Sequence, residues 1–161
     1  MSGRTKLLAL IGLALSAVVW YLFRPERAFI SQRVEEAAPA AAAAVLLRGE
    51  FVSRAHDGRG TAQLLQLSDG QRVLRFAEFE TLNGPDLQVY LLGDATSASR
   101  ADLASGGFLS LGPLKGNVGD QNYVVPRDAD LSRYRAVAVW CRRFGVNFTT
   151  AMLSPATPTG G

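Results

Sequence analysis

Residues 134–148, YRAVAVWCRRFGVNF, contain the most regular strand pattern of the chain and its single cysteine. Val137, Val139 and Cys141 fall on one face of an extended segment, and Trp140 falls on the other. Because both faces are apolar, the pattern predicts a strand in the middle of a sheet, covered on both sides. Beyond the next two arginines, residues 144–148 alternate apolar and polar side chains, which predicts a strand with one face in solvent.

The rest of the chain after residue 46 also consists of short segments with strand-like patterns. Apolar runs are separated by clusters of Gly, Asp, Asn and Pro, and no helical periodicity persists over a dozen residues. Residues 95–103 are the longest candidate for a loop or short helix. The pattern predicts an all-β domain, an antiparallel β-sandwich of about eight to ten strands. Its predicted strands are 49–53, 61–67, 72–76, 87–92, 108–111, 122–125, 136–141 and 146–153.

An apolar segment precedes this domain. Residues 7–23, LLALIGLALSAVVWYLF, carry no charge and would span about 25 Å as a helix, which is near the minimum for crossing a bilayer. The run ends in aromatic residues followed by Arg24, as is typical where a helix leaves a membrane. The alternative is a cleaved signal peptide, but no small-x-small site closes the run at the usual distance. We therefore expect one uncleaved transmembrane helix.

These segments predict a simple domain organisation. Residues 1–6 form a short cytoplasmic N-terminus, 7–23 the anchor and 24–46 an Ala-rich linker. Residues 47–153 form the β-sandwich, and 154–161 a disordered tail. The expected location is a single-pass membrane protein whose domain is extracytoplasmic, periplasmic or extracellular.

Charge and cysteine content exclude several functions. The net charge is +3, but residues 47–153 carry twelve basic and eleven acidic side chains without a basic stripe, so nucleic acid is not an expected partner. A single cysteine excludes an intrachain disulfide and multi-cysteine metal sites, and no metal site is predicted. We find no hydrolytic or transferase constellation, and we do not expect an enzyme.

Two turn-rich stretches are distinctive. In the first, Asn83-Gly84-Pro85-Asp86, Asn-Gly suits a positive φ and the carboxylate can accept backbone N–H bonds, so a structural role is favoured over a ligand role. The second covers residues 111–123, LGPLKGNVGDQNY, which is glycine-rich but lacks the strand-to-helix context of a phosphate loop. We interpret it as a shaped connection.

Together these motifs resemble a known family. They are NGPDLQVYL (83–91), LGPLKG (111–116), GDQNY (119–123), and Val139-Trp140-Cys141 followed by two phenylalanines. In order and spacing they resemble the DM-thirteen domain, an electron-transfer domain by name, over about residues 47–153. Within these motifs we assign a structural role to the following residues: Asn83, Gly84, Pro85, Asp86, Gly112, Pro113, Gly116, Tyr123 and Trp140.

The resemblance implies a DOMON-like β-sandwich outside the cytoplasm, with a role for the cysteine. Cys141 would act as a redox thiol, or as a haem ligand together with His56, the only histidine. The residues alone leave both open, because a free cysteine is also among the most frequently buried residue types and His56 fits an ordered turn beside Asp57.

Two functions follow as hypotheses. The first is a membrane-anchored domain that takes part in electron or thiol transfer through Cys141, with a redox protein as partner. The second is a non-enzymatic ligand- or protein-binding module of the cell envelope, with Cys141 as a structural residue. Solvent access to the Cys141 sulfur separates the two hypotheses.

Overall fold

The computed structural model describes residues 3–23 and 30–156. An N-terminal helix, α1 (Gly3–Phe23), precedes a β domain in which a second helix, α2 (Arg100–Gly106), connects two strands. The ten strands are β1 (Arg33–Glu35), β2 (Ala42–Ser53), β3 (Gly58–Leu67), β4 (Arg72–Thr81), β5 (Leu87–Leu92), β6 (Phe108–Pro113), β7 (Val118–Val125), β8 (Ala136–Cys141), β9 (Val146–Met152) and β10 (Ser154–Pro155).

All ten strands belong to one curled sheet. Its order is β1-β7-β4-β3-β2-β9-β8-β5-β6, and β10 pairs with β2. Strand β2 is shared by two halves, because most of it pairs with β3 whereas its last residues, from Phe51 to Ser53, pair with β9. We call the side from β1 to β3 half A and the side from β9 to β6 half B. The apolar faces of the two halves pack against each other.

The expectation of a purely antiparallel sandwich is wrong. Strand β1 pairs with β7 in parallel, with Arg33 opposite Val118 and Glu35 opposite Asp120, so the sheet is mixed. The physical reason is that β1 comes from a segment the sequence assigned to the linker. That segment lies beside β7 and runs in the same direction.

Strand β8 is buried on both faces, as its sequence predicts. Val137, Val139 and Cys141 pack into the core between the halves. On the other face Trp140 packs with Leu103 of α2 and other apolar residues. The segment that carries α2 thus covers the outside of half B.

The predicted bounds of β5 and β8 are confirmed, and the other six predicted strands overlap observed ones. The half-exposed pattern predicted for β9 is wrong, because Asn147, Thr149 and Thr150 are buried. The cover over half B explains part of this burial: Asn147 Nδ2 donates a hydrogen bond to the Ser97 carbonyl at 2.9 Å.

The predicted linker, 24–46, and tail, 154–161, also need correction. Residues 30–37, which we call the strap, lie along β7, and β2 already begins at Ala42. Ser154 and Pro155 form β10. Residues 24–29 and 157–161 lie outside the described part of the chain.

Polar contacts hold the strap in place. Lys115 Nζ contacts both carboxylate oxygens of Glu36, at 2.7 and 2.9 Å, and the Asn122 amide donates to Glu36 Oε2 at 2.7 Å. Arg75, only 8% exposed, donates to the Glu36 carbonyl at 3.0 Å and forms an ion pair with Asp120. These partners lie far from the strap in sequence, so the composition of the predicted linker gave no sign of them.

The strap should loosen in acid. Partial burial raises the pKa of Glu36. The hydrogen bonds from Lys115 and Asn122 and the charges of Lys115 and Arg75 together outweigh this effect and bring the pKa below its usual 4.5. A lowered pKa means that the stabilisation is complete above about 4.5 and is lost as the pH falls through the folded-state value. We predict smaller protection factors, meaning exchange closer to the intrinsic rate at the same pH, for the Gln32 and Glu36 amides at low pH, and in Glu36→Gln already at neutral pH.

Glu35→Gln is the matched control. Its ion pair with Arg33 is exposed on both sides, and such pairs contribute little. Equal strap exchange in Glu36→Gln and Glu35→Gln at neutral pH would show that the Glu36 carboxylate does not hold the strap.

Candidate functional site

Several loops meet at one end of the sheet. β1 and β7 begin there, as the pair Arg33 and Val118 shows, and β8 ends there, where Cys141 pairs with Leu87. We call it the entry end, because the described domain begins there at Ile30. The loops at this end are 54–57, 82–86, 114–117 and 142–145.

The loop 82–86 connects the strap to half B. Asn83 Nδ2 donates to the Ile30 carbonyl at 2.8 Å. Asp86 accepts from Arg142 Nε at 2.9 Å and from Gln88 Nε2 at 2.7 Å. Burial raises the pKa of Asp86, but these hydrogen bonds and the arginine charges outweigh it and lower the pKa below its usual value. Asp86 is therefore a carboxylate at neutral pH.

A buried polar network shapes the neighbouring loop. Gln121 is fully buried; its Oε1 accepts from Tyr123 Oη at 2.7 Å and from the Gly116 amide at 3.2 Å, while its Nε2 donates to the Gly116 carbonyl at 2.7 Å. Burial is the main cause that raises the pKa of Tyr123, so its hydroxyl keeps its proton. A Cβ on Gly116 would lie 2.5 Å from the Gln32 carbonyl oxygen, so the strap passes too closely for any other residue.

A groove of about 740 Å³ lies between the strap and these loops. Its lining mixes apolar side chains with amide and carboxylate groups, and includes Ile30, Gln32, Asn83, Asp86, Pro113 and Asn117. Gly84, Pro85 and Gly116 also line it. The structure thus brings together most of the motif residues singled out in the sequence. Tyr123 is linked to them through Gln121, whereas Gly112 lies within β6 and Trp140 lies under α2.

Cys141 is the last residue of β8 and is fully buried. Its side chain belongs to the core between the halves, and the Gly145 amide donates to its carbonyl at 2.8 Å, closing the turn that follows. The strand ends here, and Arg143 lies in the following turn, 142–145.

His56 lies in the loop 54–57 and is half-buried. Its ring packs on Phe148, with 4.0 Å between centroids, and its amide donates to the Phe148 carbonyl at 3.2 Å. The structure contains grooves of about 450, 270 and 740 Å³, and neither His56 nor Cys141 lines any of them.

These two residues do not fit a haem. A ligand to haem iron must face a slot that admits the macrocycle, and the Cys141 sulfur faces the packed core. Within residues 3–23 and 30–156, no group of three or more His, Cys, Asp or Glu side chains could hold a metal ion.

Some residues of this end were missed by sequence reasoning. Glu36 lay in an alanine-rich stretch without a pattern, and Lys115 and Arg142 looked like ordinary surface cations. Gln121 and Lys115 had one signal, because they lie inside the GDQNY and LGPLKG motifs that supported the family resemblance.

The Gln121 network should contribute strongly to stability. Gln121→Leu leaves the Gly116 amide and the Tyr123 hydroxyl buried without their acceptor, and we predict a loss of about 2–4 kcal/mol in the free energy of unfolding. Tyr123→Phe removes only one hydroxyl and should cost about 1–2 kcal/mol. Denaturant unfolding measures both, with Gln66→Leu on the exposed surface as control. A Gln121→Leu protein as stable as Gln66→Leu would contradict the network.

Comparison with known proteins gives a family and one similar fold. No curated protein matches the chain. Among solved structures, Candida albicans superoxide dismutase 5 (SOD5), Cu(II), is similar with a TM-score of 0.44 and 13% sequence identity, covering 73% of this chain and 95% of that one. A likeness at this level carries no argument about function. The family described as electron transfer DM13 matches residues 50–153, more than half of the chain. The chain therefore belongs to the electron transfer DM13 family.

Proposed function

We propose that this chain is a membrane-anchored, extracytoplasmic DM13 domain that binds a ligand or a partner protein at its entry end, with Cys141 as a residue of the core. The observation that carries this proposal is the complete burial of Cys141. A redox thiol must bring its sulfur to bonding distance of another atom, about 2.05 Å in a disulfide. A cysteine sealed among Val137, Val139 and Phe148 lacks that access and acts as a small apolar side chain.

The groove at the entry end supports binding. It is open, of the size typical of ligand sites, and lined by at least as many polar side chains as apolar ones, so it offers hydrogen-bonding groups to a polar ligand or a partner's loop. Its walls are fixed by hydrogen bonds, such as the one from Asn117 Nδ2 to the Thr81 carbonyl at 2.9 Å. A site held this way changes little on binding, which limits the entropy cost.

Thiol chemistry at Cys141 is the second candidate. The family description names electron transfer, and Cys141 stands at the end of β8 beside the turn 142–145. The turn follows Cys141 directly in the chain, so this candidate requires local opening there to bring solvent to the sulfur. In this alternative, the thiolate exchanges with a disulfide of a partner protein, and local opening limits the rate.

Alkylation of the native protein separates the two candidates. We predict that iodoacetamide leaves Cys141 unmodified in the folded protein at neutral pH and modifies it fully in denaturant, as mass spectrometry would report. Modification of the folded protein faster than its global unfolding allows would overturn the assignment of Cys141 to the core and favour a redox thiol reached by local opening.

Substitutions give the control. Cys141→Ala should cost about 1–2 kcal/mol of stability through the small cavity it leaves, and Cys141→Ser somewhat more because a hydroxyl is buried. Under the proposal neither variant loses anything except stability. A mixed disulfide with glutathione that forms reversibly on the folded wild type, with a measurable two-electron reduction potential, and that is absent from Cys141→Ala would contradict it.

The membrane anchor is the other part of the proposal. One helix is long and apolar enough to cross a membrane, over Gly3–Tyr21, and its window is not buried against the rest of the chain. A signal sequence would pass the same test of length and composition. The charge-free run and its aromatic end support an anchor that is retained.

We predict that the full-length chain stays in the membrane fraction after an alkaline wash. Replacing Leu10 and Leu13 by Arg should release it, because each arginine at the centre of a spanning helix costs about 3 kcal/mol. Val124→Arg, on the exposed surface of β7, is the control and should not change the fraction. A mature chain whose mass lacks residues 7–23 would show a cleaved signal instead.

A further inference from the structure

The turn 142–145, at the entry end, combines positive charge with an exposed aromatic ring. Its sequence is Arg142-Arg143-Phe144-Gly145, and Phe144 is 67% exposed. A single exposed apolar side chain is common on protein surfaces, so the meaning of Phe144 depends on the charges around it and on the position of the turn.

Arg100 fixes the shape of this turn. Its Nη2 donates to the carbonyls of Arg142 and Arg143, at 2.6 and 2.8 Å. Gly145 has a φ of +67°, and a Cβ there would lie 2.5 Å from Arg100 Nε. The turn is thus a built element, with the guanidinium of Arg100 laid across it.

The positive charge of the turn 142–145 and Arg100 is only partly neutralised by carboxylates of the described residues. Arg142 is paired with Asp86, but Arg100 and Arg143 take part in none of the ion pairs formed by residues 3–23 and 30–156. Two exposed arginines beside one exposed phenylalanine match an anionic surface with an apolar layer below it.

The path of the chain brings this turn close to the membrane. The loop 82–86 contacts Ile30 through Asn83 and Arg142 through Asp86. Six residues, 24–29, separate Ile30 from Phe23 at the end of α1, so the two Cα atoms are at most about 25 Å apart even if that stretch were fully extended. Ile30 and Leu82, 61% and 54% exposed, add apolar surface at the same end.

We propose that the turn 142–145, with Arg100, rests on the anionic lipid headgroups of the membrane that holds α1. The guanidinium groups of Arg100 and Arg143 contact phosphates, and the Phe144 ring enters the boundary between headgroups and acyl chains. This inference rests on the membrane anchor of the proposed function. Beyond the anchor, it specifies which face of the domain lies against the bilayer.

The test is hydrogen exchange of the full-length chain in lipid nanodiscs. One set contains phosphatidylcholine only, and the other contains phosphatidylcholine mixed with phosphatidylglycerol. We expect the segment 142–148 to take up deuterium several-fold more slowly in the anionic discs. The difference should vanish in 1 M salt, where the Debye length is about 3 Å.

Two substitutions and a control sharpen the result. Arg143→Gln should remove most of this several-fold protection, because one arginine near an anionic surface contributes roughly fivefold, and Phe144→Ser should also reduce it. Arg133→Gln removes an exposed arginine at the opposite end, next to the start of β8, and should leave the protection unchanged. Neither test position takes part in the Asp86 ion pair or the Gln121 network.

The outcomes separate this inference from the anchor itself. Slow exchange along α1 together with equal uptake by 142–148 in both lipids would overturn the docking and leave the anchor intact. Fast exchange along α1 would overturn the anchor and, with it, the docking. Protection of 142–148 that persists in 1 M salt or in Arg143→Gln would overturn the assignment to anionic headgroups.

Discussion

Two-sided burial of β8 is the constraint on which the rest of the domain depends. A strand with apolar residues on both faces needs a cover on each side. Half A supplies one cover and packs against Val139 and Cys141. The segment with α2 supplies the other, and its capping box at Ser99 lets so short a helix begin firmly where Trp140 must be covered. The burial of Cys141 is therefore a consequence of the fold's central strand and not an accident of one side chain.

The entry end obeys a different constraint, the need to pair buried polar groups. The strap adds a parallel strand, and its residues contact the buried Arg75 and hold the half-buried Glu36 carboxylate beside Lys115. Arg75 forms an ion pair with Asp120, and Glu36 forms one with Lys115. Pairing is needed because a buried charge without a partner is strongly destabilising. The matched family region, 50–153, begins after the strap, yet its partners Lys115 and Asn122 lie within that region. The strap completes the domain.

Sequence reasoning succeeded where side chains alone decide the structure. β5 and β8 are buried along their whole length, and their bounds follow from that apolar run. It fell short in β4, which continues from Phe76 to Thr81 through charged residues whose partners lie on other strands. It failed for the strap, whose eight residues show no sustained apolar period and whose pairing depends on distant groups. The motif residues of the groove were found through family resemblance, but their convergence required the register of the sheet.

The position of the entry end relates the two candidate functions to each other. The groove, the turn 142–145 and the end of β8 all lie where the chain arrives from α1. If that end faces a bilayer, a partner reaches the groove along the membrane surface and not from open solvent. The lipid would also cover the turn that follows Cys141 at the end of β8. Docking would then add a layer over a sulfur that the core already buries, which fits a structural cysteine better than a redox thiol.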